Sequence, residues 1–142
     1  MRTIQFRGFS KDPHVGWVYG DLIHLIDGTP IIRHDMKTMT VKGCERIVWS
    51  ENKVVQKSIG QFTGLCDRYN HQIYEGDILQ CTDDTGKDYR REVVFIEGAF
   101  CQKIHMGTMK TAYNPLKNHD LKLLEIVGNI HDNPELLEGG RQ

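Results

Sequence analysis

The sequence of 142 residues has no long apolar run, no closely spaced cysteine pair and no excess of either charge. A membrane-spanning helix needs roughly 20 apolar residues in a row, and no stretch approaches that, so no membrane partner is expected. The opening Met1-Arg2-Thr3-Ile4-Gln5-Phe6-Arg7 is positive but has no apolar stretch behind it. It does not read as a signal peptide, and a cytoplasmic location is expected. The four cysteines, Cys44, Cys66, Cys81 and Cys101, never form Cys-x-x-Cys, which argues against a zinc site. In a reducing cytosol they read as small buried apolar residues.

Chemistry-bearing motifs are missing as well. There is no GxGxxG, no phosphate-binding GxxxxGK[ST], no HExxH and no GxSxG. The three serines, Ser10, Ser50 and Ser58, sit in no nucleophile context. None of the seven histidines has another at i+2 or i+4, the spacings that put two metal ligands on one face. Asp83, Asp84 and Asp88 surround Gly86 without meeting the calcium-loop pattern, so they read as a solvated hairpin tip. Glu75 and Asp77 flank Gly76, and that spacing reads as turn chemistry rather than a catalytic carboxylate pair. No catalytic residue, metal or cofactor is expected.

What is present is ordinary for a globular chain: 39% hydrophobic and 26% charged residues. Apolar runs are short and closed by Gly, Asp and Asn every 8–12 residues or so, which favours an all-β barrel or meander over βαβ units. Strands are read at Thr3–Phe9, Trp17–Ile26 with a bend at Gly20, and after the turn Asp27-Gly28. Further strands are read at Ile78–Thr82, Arg90–Ile96 and Ala99–Met106, with another in the second half of Leu121–Ile130. The polar stretches His34–Gly43 and Lys110–Asp120 read as loops. Asn133 followed by Pro134 and Glu135 starts a very short helix. Gly76 is expected at positive φ, with the Asp77 carboxylate accepting a backbone N–H.

The ordered blocks Ile4-Gln5-Phe6-Arg7-Gly8 and Gly16-Trp17-Val18-Tyr19-Gly20 open the chain. They are followed by Ile59-Gly60-Gln61-Phe62-Thr63-Gly64-Leu65, Ile73-Tyr74-Glu75-Gly76-Asp77-Ile78 and Ile126-Val127-Gly128-Asn129-Ile130. Together with Asn133-Pro134-Glu135-Leu136-Leu137 they resemble the YopX-type phage proteins over nearly the whole length. The resemblance implies a phage, prophage or mobile-element protein. It also implies a mainly β fold: a small SH3-like β-barrel domain over 58–142, with the short C-terminal helix, preceded by a smaller β-rich region over 1–57. It implies no established activity and no catalytic residue. The chain departs from the family between Leu65 and Ile73, where Cys66–Gln72 lacks the glycine of the usual Asn-Gly turn.

The reading that results is a non-catalytic binding or assembly module, its partner a phage or host protein. Trp17 and Tyr19, one strand step apart on one face, are candidate anchors, with inter-domain packing the competing reading. Trp17, Tyr19, Phe62, Tyr69, Tyr74 and Tyr89 are the aromatic residues considered for stacking. The alternative is a nucleic-acid-associated protein. Residues 1–70 hold ten Lys/Arg against seven Asp/Glu, a net of +3, and residues 71–142 hold eight against twelve, a net of −4. The basic segment carries Arg33, Lys37, Lys42, Arg46, Lys53 and Lys57, for which a solvated face is the simpler account. A homo-oligomer is expected, through exposed sheet edges and the C-terminal tail.

Overall fold

The computed structural model describes residues 2–106, 109–118 and 120–138. The tail expected in an oligomer contact, residues 139–142, lies outside them. The chain is mainly β, in two antiparallel sheets, one of six strands and one of five. Helix among the described residues is confined to two 3₁₀ turns, Gln56–Ser58 and Asp120–Leu123, and one α turn, Glu135–Glu138. Two compact units divide the chain, Met1–Gln61 and Phe62–Gln142.

The first unit holds β1 (Phe6–Phe9), β2 (Trp17–His24), β3 (Pro30–Val41), β4 (Cys44–Lys53) and the start of β5 (Gly60–Cys66). The first half of β2 pairs with β1 and the second half with β3, and the change of partner falls at Gly20. A Cβ there would lie 2.1 Å from the Arg33 carbonyl oxygen. Glycine therefore serves the close approach of β3, and the strand runs through it unbroken. Val18, Ile32 and Val54 form the core, with Phe6, Leu22 and Ile59 packed against them. The Ser58 hydroxyl accepts the Phe9 N–H at 2.7 Å and donates to the Val55 carbonyl at 2.6 Å, tying the first 3₁₀ turn to β1.

One sequence expectation fails here. His34–Gly43 is not a loop: β3 continues to Val41 and pairs with β4 almost to the tip. The turn is Lys42-Gly43, both at positive φ (51° and 77°), as a two-residue hairpin turn requires. The strand was illegible because its residues face solvent on both sides, so no alternation of apolar and polar residues marks it. Cys44 is exposed at this tip rather than buried; all four cysteines are free thiols.

The second unit contains the rest of β5, then β6 (Gln72–Tyr74), β7 (Asp77–Thr82), β8 (Asp88–Ile96), β9 (Ala99–Met106), β10 (Lys110–Pro115) and β11 (Glu125–Asn129). Strands β7 to β10 form a meander, and β11 returns beside β7. No pairing among the described residues joins the edge strands β10 and β11 into a closed barrel. Residues 110–115 are a strand rather than a loop: the free edge of β9 recruits them, and Pro115 sits at the strand end, where a missing donor is tolerated. Ile73, Leu79, Val93, Leu121 and Leu124 form the core. The Asn133 side chain accepts the Asn129 N–H at 3.3 Å, turning back to β11.

Two buried carboxylates shape this unit. Asp67 Oδ1 accepts the Tyr69 and His71 N–H groups, both at 2.9 Å, and Oδ2 accepts the Ile126 N–H at 3.0 Å. Burial pushes the Asp67 carboxyl up, but these three donors and the nearby His71 outweigh it and hold it below its ordinary value. Asn70 takes φ 66°, the left-handed position a glycine would otherwise fill, and closes the turn. Gly76 has φ 87°. Asp77 Oδ2 accepts the Tyr74 N–H at 2.8 Å.

Replacing Gly76 by alanine places a Cβ in the left-handed region, so Gly76→Ala should cost more than about 1 kcal/mol. An unchanged urea midpoint would contradict the turn. Asp67→Ala removes the acceptor of three main-chain donors and should cost roughly 3 kcal/mol. Equilibrium unfolding measures it, and a loss under about 1 kcal/mol would refute the role given to this carboxylate.

Candidate interaction surface

The distal part of the β3–β4 hairpin has no hydrophobic layer on either face. Every residue from Asp35 to Ser50 is exposed except Val48, which is half-buried. Its large apolar side chains are therefore in water: Met36, Met39 and Val41 on β3, Ile47 and Trp49 on β4. Ile47 is 64% exposed and Trp49 45%. Single exposed apolar residues are common. Here each face of one hairpin carries a pair, Met39 and Val41 on the face of Lys37 and Arg46, Ile47 and Trp49 on the opposite one. Clustered exposed apolar side chains of this kind mark interaction sites. Pairing shifts register between His34 and Lys37, so that Asp35 and Met36 bulge opposite Trp49. Around this bulge lies an open depression of about 620 Å³, lined by Asp35, Met36, Lys37, Val48, Trp49 and Ser50.

The six basic residues of the sequence reading do not come together. Arg33 lies over the Trp49 ring at 4.2 Å and faces Glu51 at 3.9 Å. By register, Lys37 and Arg46 are on the opposite face, diagonal to each other. Lys42 is at the tip, Lys53 at the foot of β4 opposite Ile31, and Lys57 in the 3₁₀ turn. Asp35, Glu45 and Glu51 are interspersed among them. Trp17 is half-buried, edge-on to Phe9 at 5.5 Å and beneath the Arg7 guanidinium at 5.0 Å. Tyr19 is exposed. Sequence reasoning passed over Trp49, Ile47, Met36, Met39 and Val41. Ile47-Val48-Trp49 looks like a buried run; only the tertiary structure leaves it uncovered.

The second unit offers a larger depression, about 830 Å³, whose lining includes Cys66, Asp67, Arg68, Asn118 and Lys122. Its carboxylate, Asp67, is fully engaged by backbone donors, and Arg68 lies over Tyr69 at 4.9 Å. Phe62 and Tyr74 are buried against each other, with centroids 5.6 Å apart. Tyr89 is flanked by Lys87 and Arg91. Asp83 serves its turn by accepting the Thr85 hydroxyl and the Thr85 and Lys87 N–H groups. The Thr85 hydroxyl leads in holding the Asp83 carboxyl at about 2. Among the described residues no three His, Cys, Asp or Glu side chains are grouped to hold a metal ion. No helix among them is long and apolar enough to cross a membrane.

A family model described as YopX protein matches residues 5–138. The chain belongs to the YopX family. No curated protein matches it. The crystal structure of protein EF1440 from Enterococcus faecalis is similar in fold, with a TM-score of 0.66 and 22% identity. The similarity covers 96% of this chain and 99% of that one.

In this YopX-family chain the bulge is pinned by His34. Its Nδ1 lies 2.8 Å from Asp35 Oδ2 and its Nε2 2.7 Å from Asn52 Oδ1. A protonated ring donates to both acceptors; a neutral ring has one N–H and serves only one. The Asn52 hydrogen bond raises the His34 pKa above 6.5; partial burial opposes the shift and Asp35 supports it. A value raised in the folded state stabilises the hairpin fully below the unfolded value, near 6.5, and the gain is lost as pH rises through the folded value. Amide exchange in β3 and β4, corrected for its intrinsic pH dependence, should therefore accelerate over that window. His34→Phe should abolish the acceleration. An NMR titration placing His34 at or below 6.5 would contradict the assignment.

Proposed function

We propose that this chain is a non-catalytic binding or assembly module of a phage or mobile element, working in the bacterial cytoplasm through protein–protein contact on the β3–β4 hairpin. The observation that carries the reading is the uncovered apolar side chains of one paired hairpin, Met39 and Val41 on one face, Ile47 and Trp49 on the other, and Met36 at the bulge. Trp and Met are enriched at the centres of protein interfaces, and a paired hairpin presents them with little ordering still to do on binding. The alternative, nucleic-acid binding through Arg33, Lys37, Lys42, Arg46, Lys53 and Lys57, draws less support, since these cations are interspersed with the carboxylates Asp35, Glu45 and Glu51, and Arg33 is already engaged by Trp49 and Glu51. A phosphate-tracking surface needs clustered positive charge. For the second unit we take an SH3-like reading. Its order β10-β9-β8-β7-β11, a four-strand meander with the last strand returning beside the first after a 3₁₀ turn, is the order such barrels use. Small barrels of this type host many unrelated functions, so the functional weight rests on the hairpin.

A photo-crosslinking residue in place of Met39 tests this in cells. Polypeptide adducts are expected, with yields changing less than about twofold between low and high salt, whereas phosphate contacts weaken steeply with salt. Adducts to nucleic acid alone, or none, would overturn the reading.

A further inference from the structure

Resting on the reading of the hairpin as a contact element, we propose that its partner is a second copy of this chain, added edge to edge through β4 about a two-fold axis at Trp49. Strand β4 is ten residues long, contains no proline and, among the described residues, ends its sheet, paired with β3 alone apart from the Lys11 N–H on the Lys53 carbonyl at its foot. A long free edge of this kind is a template for another strand. The hydrogen bonds at its foot show which groups point outward. The Val54 N–H donates to the Pro30 carbonyl on the β3 side, whereas the Lys53 carbonyl accepts from the Lys11 N–H. Alternation then turns the main-chain groups of Glu51, Trp49, Ile47 and Glu45 away from β3, toward the free edge.

Charge selects the register. A two-fold axis through the sheet leaves each face on its own side, so only residues of like parity oppose each other, and the axis passes a single residue. Centred on Val48, the pairing sets Glu45 opposite Glu51 twice, which is repulsive. Centred on Ile47 or Ser50, it leaves Lys53 or Glu45 without an opposite charge. Centred on Trp49, it sets Glu45 opposite Lys53 at both ends, Ile47 opposite Glu51, and the two Trp49 rings against each other with Ile47 diagonal to them. Because the Lys53 carbonyl is already engaged by Lys11, the ladder of main-chain bonds runs from Ile47 to Glu51. Glu45 and Lys53 meet through their side chains at its two ends. This arrangement covers Ile47 and Trp49, the exposed apolar residues of β4.

Sedimentation of the full chain over a dilution series tests the proposal. Twice 16.4 kDa is expected at the highest concentrations, dissociating on dilution. Glu45→Lys and Lys53→Glu should each weaken the dimer about tenfold or more, since like charges then face each other at both ends. The double variant should restore it. Circular dichroism of each variant controls for folding, and both sites are exposed. A 16.4 kDa species throughout, or a dimer indifferent to both single changes, would overturn self-pairing. Should the Met39 crosslinks then lead to a different polypeptide, the hairpin remains a contact element and only the self-pairing falls.

Discussion

Aspartate carboxylates turned back onto main-chain N–H groups set the path of this chain. Asp12 accepts from His14 and Asp27 from Thr29, each at a turn in the first unit. In the second unit Asp67, Asp77 and Asp83 do the same. An antiparallel fold of short strands reverses direction often, and each reversal frees backbone donors that the ladders cannot use. At the exposed turns water could replace the carboxylate. At Asp67 and Asp77, both buried, it could not. Asp67 has the widest reach: it closes the β5–β6 turn and anchors β11 through Ile126, two segments 59 residues apart. The core of Ile73, Leu79, Val93, Leu121 and Leu124 is assembled from strands and turns that these bonds hold in register.

The β3–β4 hairpin obeys a different rule. Its foot is anchored by Ile32 and Val54 in the core and by the His34–Asn52 bond on the near side of the bulge, but beyond Asp35 it depends on pairing and a tight turn. Sheets ordinarily gain much of their stability by burying one face, so a hairpin that buries neither is costly unless something later covers it. The exposed apolar side chains and the free β4 edge therefore have one physical origin: no layer packs on the distal hairpin and no strand pairs with β4 there among the described residues. Among the described residues no comparable surface in the second unit combines a long free edge with uncovered Trp, Ile and Met.

The dispersal of the basic residues shows how register redistributes charge. In one dimension, Arg33 to Lys57 looks like a positively charged segment. Folding into two antiparallel strands with a bulge places Arg33 beside Glu51 and over Trp49, turns Lys37 and Arg46 to the other face, and sends Lys42 to the tip. The charge that linear proximity gathers, strand alternation separates.

The sequence by itself determined the β class, most turn positions and the family, because glycine, asparagine and aspartate at reversals act locally and ordered motifs survive without knowledge of contacts. It also located Gly76 and Asp77, whose roles depend on φ and on a neighbour three residues away. It did not reveal strand 34–41 or β10, because both owe their form to a partner strand rather than to an apolar alternation of their own. Nor could it distinguish Ile47-Val48-Trp49 from a core strand: hydrophobicity is written in the residues, but burial belongs to whatever lies opposite them. Only the tertiary structure decided that Asp67 is a buried tie rather than a polar turn residue. Only the tertiary structure left β4 uncovered, because exposure depends on the absence of a packing layer, and no local pattern of side chains encodes that.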